Sequence, residues 1–311
     1  MAKRFSFVFL STDDFAIPTL DRLLERGECL ALVTTPPRPR GRGKRIQPNP
    51  IDTHGRGLGL EIIYTAQSKD SELKVRLSEL KPDFMITLSF PFIIPGDLLE
   101  IPRWALNLHP SILPQYRGPA PIRWAILNGE QKTGVTAIIM NEEIDAGMMV
   151  EISETEIRPD ETYGELRSRL ARIAPKVAVK AIEALIDGSA ELKDQDEEKV
   201  TYAPKLARDM FEIDWERVGE EVVNLIRALS PKPGARTGYE GGMVKILSAG
   251  LSNLILPPGR IKVKAGSLYA GSKTRALEIR RLKPAGRREI TSREFINGFH
   301  PDGKLFGKTG G

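Results

Sequence analysis

The sequence predicts an α/β domain on a mostly parallel sheet with helices on both faces, followed by a small β-barrel. Three observations carry that expectation. Through the first part of the chain, short apolar β-favouring runs alternate with helical periodicities, the pattern of βαβ units with right-handed crossovers. Past residue 230 the chain changes to short β-like runs at 243–249, 260–264, 267–270 and 275–282, set between Gly- and Pro-containing turns, as in small barrels. Charge changes too. Residues 1–203 hold 26 Lys and Arg against 30 Asp and Glu, whereas residues 204–311 hold 20 against 11. A basic second part points to a polyanionic partner; a solubilising surface is the plainer reading.

Taken in order, residues 5–10 form an apolar strand. Ser11, Thr12, Asp13 and Asp14 supply capping groups, and Ile17, Leu20, Leu23 and Leu24 then repeat with helical spacing up to Gly27. Residues 30–34 make a second strand. The following stretch, 36–50, carries Arg38, Arg40, Arg42, Lys44 and Arg45 with no acidic residue. Its composition predicts a solvated loop, yet an insertion of this length within a compact sheet is uncommon unless functional. Its Gly-x-Gly lacks the third spaced glycine, which excludes a dinucleotide fingerprint. Strands are expected at 61–65, 84–88 and 104–109, with a helix at 71–80 and another at 119–127. Two strands, 135–140 and 148–157, flank a tight loop holding Asp145. A long helix at 162–186 presents Leu166, Leu170, Ile173 and Val177 on one stripe, and Pro175 is expected to kink or interrupt it. Helices at 215–229 and 291–298 bracket the barrel. The expected partition is a catalytic domain over 1–188, a polar linker over 189–205 and a basic domain over 206–311.

Composition removes several classes of function. A single cysteine, Cys29, excludes an internal disulfide framework and a cysteine-rich metal site. The three histidines, His54, His109 and His300, lack zinc-ligand spacing, so no metal is expected. No run approaches the roughly 18 apolar residues of a membrane span. The first strand begins directly after Met-Ala-Lys-Arg, which predicts no signal peptide and a cytoplasmic setting.

The chemistry gathers in residues 104–118. On a strand ending at Leu108-His109, alternation places Asn107 and His109 on one face and Leu106 and Leu108 on the other. Pro110 has no N–H for the ladder, so the strand should stop there. The pair then sits at a strand C-terminus, where open α/β sheets build their ligand sites. Asn can hold a developing oxyanion, and His can hold or pass a proton near neutral pH. Ser111, Ile112, Leu113 and Pro114 open a loop too apolar for a solvent turn, expected to offer backbone groups to a flat, polar ligand. Taken singly, an Asn or a His here is more often structural; their spacing beside this loop shifts the balance.

The residues Asn107, His109, Ser111, Leu113, Pro114, Arg117 and Gly118, with Asp145 and Gly147 further on, resemble the signature of the 10-formyltetrahydrofolate-dependent formyltransferases. Within them, the chain from about 5 to 299 resembles the methionyl-tRNA formyltransferase family. Residues 36–44 match its basic loop, Asp14-Phe15-Ala16 its first turn, and 227–233 and 282–286 stretches of its C-terminal domain. The resemblance implies a Rossmann-like catalytic domain joined by a linker to a basic OB-like barrel. It implies formyl transfer from 10-formyltetrahydrofolate to the α-amino group of initiator methionyl-tRNA, with no metal and no obligate protein partner. It assigns catalysis to Asn107, His109 and Asp145, folate contact to Ser111, Ile112, Leu113 and Pro114, and tRNA contact to Arg38, Arg40, Arg42, Lys44 and Arg45. Asn107 would donate to the oxyanion, His109 would share that role and the proton traffic, and Asp145 would orient His109 and help take the amine proton. Two alternatives stand beside this: a sugar-nucleotide or other folate-dependent formyltransferase, and a catalytically inactive RNA-binding protein on the same fold. The family usually has Gly and Pro where this chain has Ser11 and Asp13, and a small residue where it has Pro110. Arg117 is left open between ligand contact and carboxylate partner.

Overall fold

The computed structural model describes residues 5–40, 43, 45–67 and 69–308. Its chain packs as two compact units, one of 1–118, 134–155 and 167–202, the other of 119–133, 156–166 and 203–311.

The first unit is built on a seven-stranded sheet. In chain order its elements are β1 (Ser6–Leu10), α1 (Ile17–Leu24), β2 (Glu28–Thr34), β3 (Arg38–Arg40), β4 (Arg45–Gln47), α2 (Pro50–Gly57), β5 (Ile62–Tyr64), α3 (Ser71–Leu80), β6 (Phe84–Thr87), α4 (Gly96–Leu99) and β7 (Trp104–His109). After α5 (Pro121–Leu127) come β8 (Lys132–Ile139), β9 (Met149–Glu156) and α6 (Tyr163–Asp187). The strand order is β5-β2-β1-β6-β7-β8-β9. The first five run parallel, and β8 is antiparallel to β7. Parallel strands buried on both faces read as continuous apolar runs, and β1 and β6 are such runs, with Phe7, Val8, Phe9, Leu10, Phe84, Met85 and Ile86 all buried. The strand carrying Asn107 and His109 ends at His109, before Pro110, as expected.

The second unit holds α7 (Gly219–Leu229), β10 (Ala235–Tyr239), β11 (Gly242–Leu251), β12 (Ile261–Lys264), β13 (Ser267–Ala270), β14 (Leu277–Pro284), β15 (Ile290–Thr291) and α8 (Ser292–Phe299). Its strands form an antiparallel sheet in the order β10-β11-β14-β13-β12, with β15 on β14. The two edges curl toward each other, because Gly307 bridges Gly238 beside one edge and Leu305 bridges Arg260 beside the other. The core packs Trp215, Val222, Ile226, Ile246, Ile279, Phe295 and Phe306.

Several expectations change. The 36–50 stretch is not wholly irregular: β3 and β4 pair antiparallel, Arg38 opposite Gln47 and Arg40 opposite Arg45. A buried Asn49 ties its base, its side-chain N–H donating to Thr34 Oγ1 (2.7 Å) while its side-chain oxygen accepts from Asp52 N–H (3.0 Å). The tip, with Arg42 and Lys44, lies outside the described residues. Of the kink or interruption expected at Pro175, the interruption is absent: α6 runs through it, held by buried Leu166, Leu170, Ala174, Val177 and Ala181. α7 starts at Gly219 rather than at 215, because Trp215 belongs to the barrel core, stacked on Phe306 and donating from Nε1 to Thr237 Oγ1 (3.0 Å). β10 and α2 have weak sequence signals. The first is short and the second carries four polar residues and two glycines in eight positions.

Candidate active site

β7 delivers Asn107 and His109 to the C-terminal edge of the sheet, and the turn between β8 and β9 delivers Asp145. Asp145 has φ +54°, a left-handed conformation that Asp tolerates better than most side chains. Its Oδ1 accepts from Asn107 Nδ2 (2.9 Å) and lies 3.4 Å from His109 Nδ1. Its Oδ2 accepts from the Gly118 N–H (2.9 Å). Thr87 Oγ1 donates to Asn107 Oδ1 (2.8 Å), which sets the amide so that its nitrogen faces Asp145. His109 Nε2 donates to the Tyr116 carbonyl (2.8 Å), leaving Nδ1 toward the carboxylate. The three side chains named from sequence therefore meet around one carboxylate.

Burial alone pushes the His109 imidazole down. The Asp145 carboxylate, by charge and hydrogen bond, and the Tyr116 carbonyl outweigh it and hold the imidazole above its usual value. Burial likewise pushes Asp145 up, but His109, the Gly118 N–H and the charge of Arg117 bring it below the usual carboxylate range. His109 is only 4% exposed, so the ring and the carboxylate face each other largely out of water. The raised imidazole contributes stability that is complete below its unfolded value of about 6.5 and is lost as pH rises through its higher folded value. The Tm gap between wild type and His109→Gln is thus expected to narrow from pH 6 to pH 9, where Asp145 stays ionised. A gap that is constant or widens over that range would mean the folded imidazole is neutral.

The loop after β7 departs in part from expectation. Ser111 and Leu113 are buried, and their backbones are already used. The Ser111 N–H donates to the His109 carbonyl, the Ser111 carbonyl accepts from Thr136 Oγ1, and the Leu113 N–H donates to that same hydroxyl. Buried backbone groups must be paired, so this part of the loop is not an open wall. Ile112 and Pro114 are half-buried and remain accessible. Arg117 resolves as a carboxylate partner: it is 4% exposed, and its guanidinium reaches Glu197 (2.7 Å) and Gln195 (2.9 Å). Asp13 caps the turn after β1, accepting from the Phe15 N–H, and both Asp13 and Asp14 pair with Arg167. Ser11 needs no left-handed backbone, so the lost glycine costs no strain there.

Arg38 and Arg45 are exposed on the β3–β4 ribbon. The ribbon leaves β2 at its C-terminal end, the same sheet edge as the end of β7, because the two strands share the parallel direction. Gln195 lies in the segment expected to be a linker, where a polar residue in a charged stretch gives no periodic or motif signal. Among the described residues no group of three or more His, Cys, Asp and Glu could hold a metal ion, and no helix is long and apolar enough to cross a membrane.

The sheet is Rossmann-like and gathers Asn107, His109 and Asp145 at its C-terminal edge. A family model described as formyl transferase matches residues 6–182, and one described as formyl transferase, C-terminal domain, matches 205–300. The methionyl-tRNA formyltransferase of Geobacter metallireducens is 35% identical over 94% of this chain and 95% of its own, and that of Bacillus subtilis 36% identical over 94% of each; the chain belongs to the methionyl-tRNA formyltransferase family. Two solved structures share the fold. HypX from Aquifex aeolicus in complex with tetrahydrofolic acid has a TM-score of 0.67 at 19% identity over 97% of this chain, which spans about half (49%) of HypX. The Helicobacter canadensis N-formyltransferase, in complex with folinic acid and dTDP-3-aminofucose, has a TM-score of 0.67 at 18% identity, covering 89% of this chain and 99% of its own.

Proposed function

We propose that the chain transfers a formyl group from 10-formyltetrahydrofolate to the α-amino group of initiator methionyl-tRNA. The observation that carries this reading is the Asn107–His109–Asp145 cluster on the sheet edge from which the basic ribbon also leaves. The amine must be free to attack the formyl carbon; α-amino groups titrate near ~8, so deprotonation at neutral pH is modest work. Attack forms the new C–N bond and puts charge on the formyl oxygen. Breaking the bond to N10 then returns the electron pair to the folate, which takes up a proton as the amine gives one up. Asn107 has a second amide hydrogen beyond the one on Asp145, and we assign it to that oxygen. His109 supplies positive charge beside it. Asp145, whose side chain is 11% exposed, orients both and accepts the amine proton through water. Ile112 and Pro114 would line the folate, with Ser111 and Leu113 as the scaffold beneath.

For tRNA we assign Arg38, Arg40, Arg42, Lys44 and Arg45, with the basic 206–311 region supplying further phosphate contacts. The catalytic 1–188, linker 189–205 and basic 206–311 division is proposed as a division of labour. It is not a proposal for cutting the chain, since α5 packs with α7 and Arg123 donates to the Ala228 and Lys232 carbonyls.

The deciding assay offers 10-formyltetrahydrofolate with charged initiator tRNA or with an amino-sugar nucleotide; formylation of the sugar alone would overturn the reading. Arg42→Ala should weaken use of charged tRNA while leaving folate affinity and Tm unchanged, and should reduce the slope of log affinity against log salt by about 1. Arg42→Lys should recover only part, because a point charge does not reproduce the two-pronged donor. Full recovery with Lys would leave the ribbon acting through charge alone.

A further inference from the structure

We infer that Gln195 is a positioning residue for catalysis, fixing the turn that carries Asp145; the inference rests on the site proposed above. The 141–144 stretch of that turn is exposed, Ile144 by 56%, yet Asp145 must hold two oxygens in register with Asn107, His109 and Gly118. A buried amide braces the turn at Asp145 itself. Gln195, 8% exposed, donates from Nε2 to the Asp145 carbonyl (2.8 Å) and to the Gly147 carbonyl (2.8 Å). Both of its hydrogens are thereby on the carbonyls that flank the turn's critical bend. Its Oε1 accepts from Arg117 Nε (2.9 Å), so the amide cannot flip without losing all three bonds.

The same segment holds the other side of the site. The Thr201 carbonyl accepts from the Arg117 N–H (2.9 Å), and Thr201 Oγ1 accepts from the Tyr116 N–H (2.9 Å). Tyr116 and Gly118 are the residues whose backbone binds His109 Nε2 and Asp145 Oδ2. Residues 195–201 thus strap both backbone turns that position the His109–Asp145 pair, and Gln195 is the member that acts on Asp145. A carboxylate displaced by even about 1 Å can cost about 10²-fold in rate, so the strap has a kinetic consequence distinct from stability.

The test compares Gln195→Met, Gln195→Glu and His109→Ala in the full chain, reading kcat, KM for 10-formyltetrahydrofolate and the NMR titration of the His109 imidazole. Met fills the same space without donors. Glu keeps an acceptor for Arg117 but loses both donors to the turn. Both variants are expected to lower kcat about 10- to 100-fold with KM little changed, and Gln195→Met to move the His109 titration downward as the carboxylate drifts from it. If Gln195→Glu retains wild-type kcat, Gln195 serves only Arg117 and the inference is wrong. If Gln195→Met loses kcat with the His109 titration unmoved, the role is merely structural and the inference is equally wrong. Should the Met variant not fold, the Glu variant decides on kcat. An inactive His109→Ala beside fully active Gln195 variants overturns this inference alone; an active His109→Ala overturns the site and the inference with it.

Discussion

Replacing Asp145 by Asn is expected to lower kcat by about 10²–10³, the range for loss of a preorganised electrostatic partner, with the fold and folate affinity largely kept. The carboxylate accepts three interactions, from Asn107 Nδ2, His109 Nδ1 and the Gly118 N–H. An amide offers only one accepting atom. If its oxygen takes the Gly118 N–H, its NH2 faces the Asn107 NH2, donor against donor. If its oxygen instead takes Asn107, the Gly118 N–H meets a donor. In either arrangement His109 loses the charge that outweighs its burial, so its titration should fall below the ordinary value and the ring should be neutral at pH 7. On the role proposed for Asp145, the amine proton also loses its acceptor, since an amide does not take one. His109→Ala and Asn107→Ala should each remove most turnover for the complementary reasons, loss of the cation and loss of the oxyanion donor. An unchanged kcat in Asp145→Asn, measured at saturating folate and tRNA, would return Asp145 to a turn former.

Much of this site was legible in the sequence because it is local. Asn107 and His109 are two residues apart on one strand, and the period of a strand is two, so their common face follows without coordinates. Pro110 marks the strand end by chemistry alone. Asp145 is marked in the sequence only by its place between two apolar runs and by resemblance, and the fold brings it to both partners. What stayed hidden was non-local and polar. Gln195 bonds across 48 and 50 residues of sequence, and nothing in a stretch of Asp, Glu and Lys marks one amide as buried. The pairing of Ser111 and Leu113 with Thr136 was hidden for the same reason: a hydroxyl in an apolar strand gives no sign of which backbone groups it will satisfy. Helix starts failed where tertiary packing overrode periodicity, as at Trp215, whose ring the barrel claims.

Gly147→Ala should be the most damaging small substitution near the site. A Cβ at Gly147 would stand 1.7 Å from the Ile139 carbonyl oxygen and 2.8 Å from its carbon, and both are main-chain atoms that no rotamer change can remove. The two strands are pinned there, since the Ile139 N–H donates to the Met148 carbonyl (2.8 Å) and the Gly147 carbonyl accepts from Gln195 (2.8 Å). Relief therefore requires the turn to move as a body, carrying Asp145 away from Asn107 and His109. Overpacking of this kind costs about 1–3 kcal/mol, and the displaced carboxylate should lower kcat by about 10²-fold. Gly57→Ala is the control. It sits at the end of α2 with nothing within 4 Å of its would-be Cβ, so Ala there should be neutral or stabilising by up to about 1 kcal/mol and leave kcat alone. A Gly147→Ala enzyme with lowered Tm but full kcat would show that Asp145 can shift with its turn and still work, and the tight register argued for the carboxylate would then be wrong.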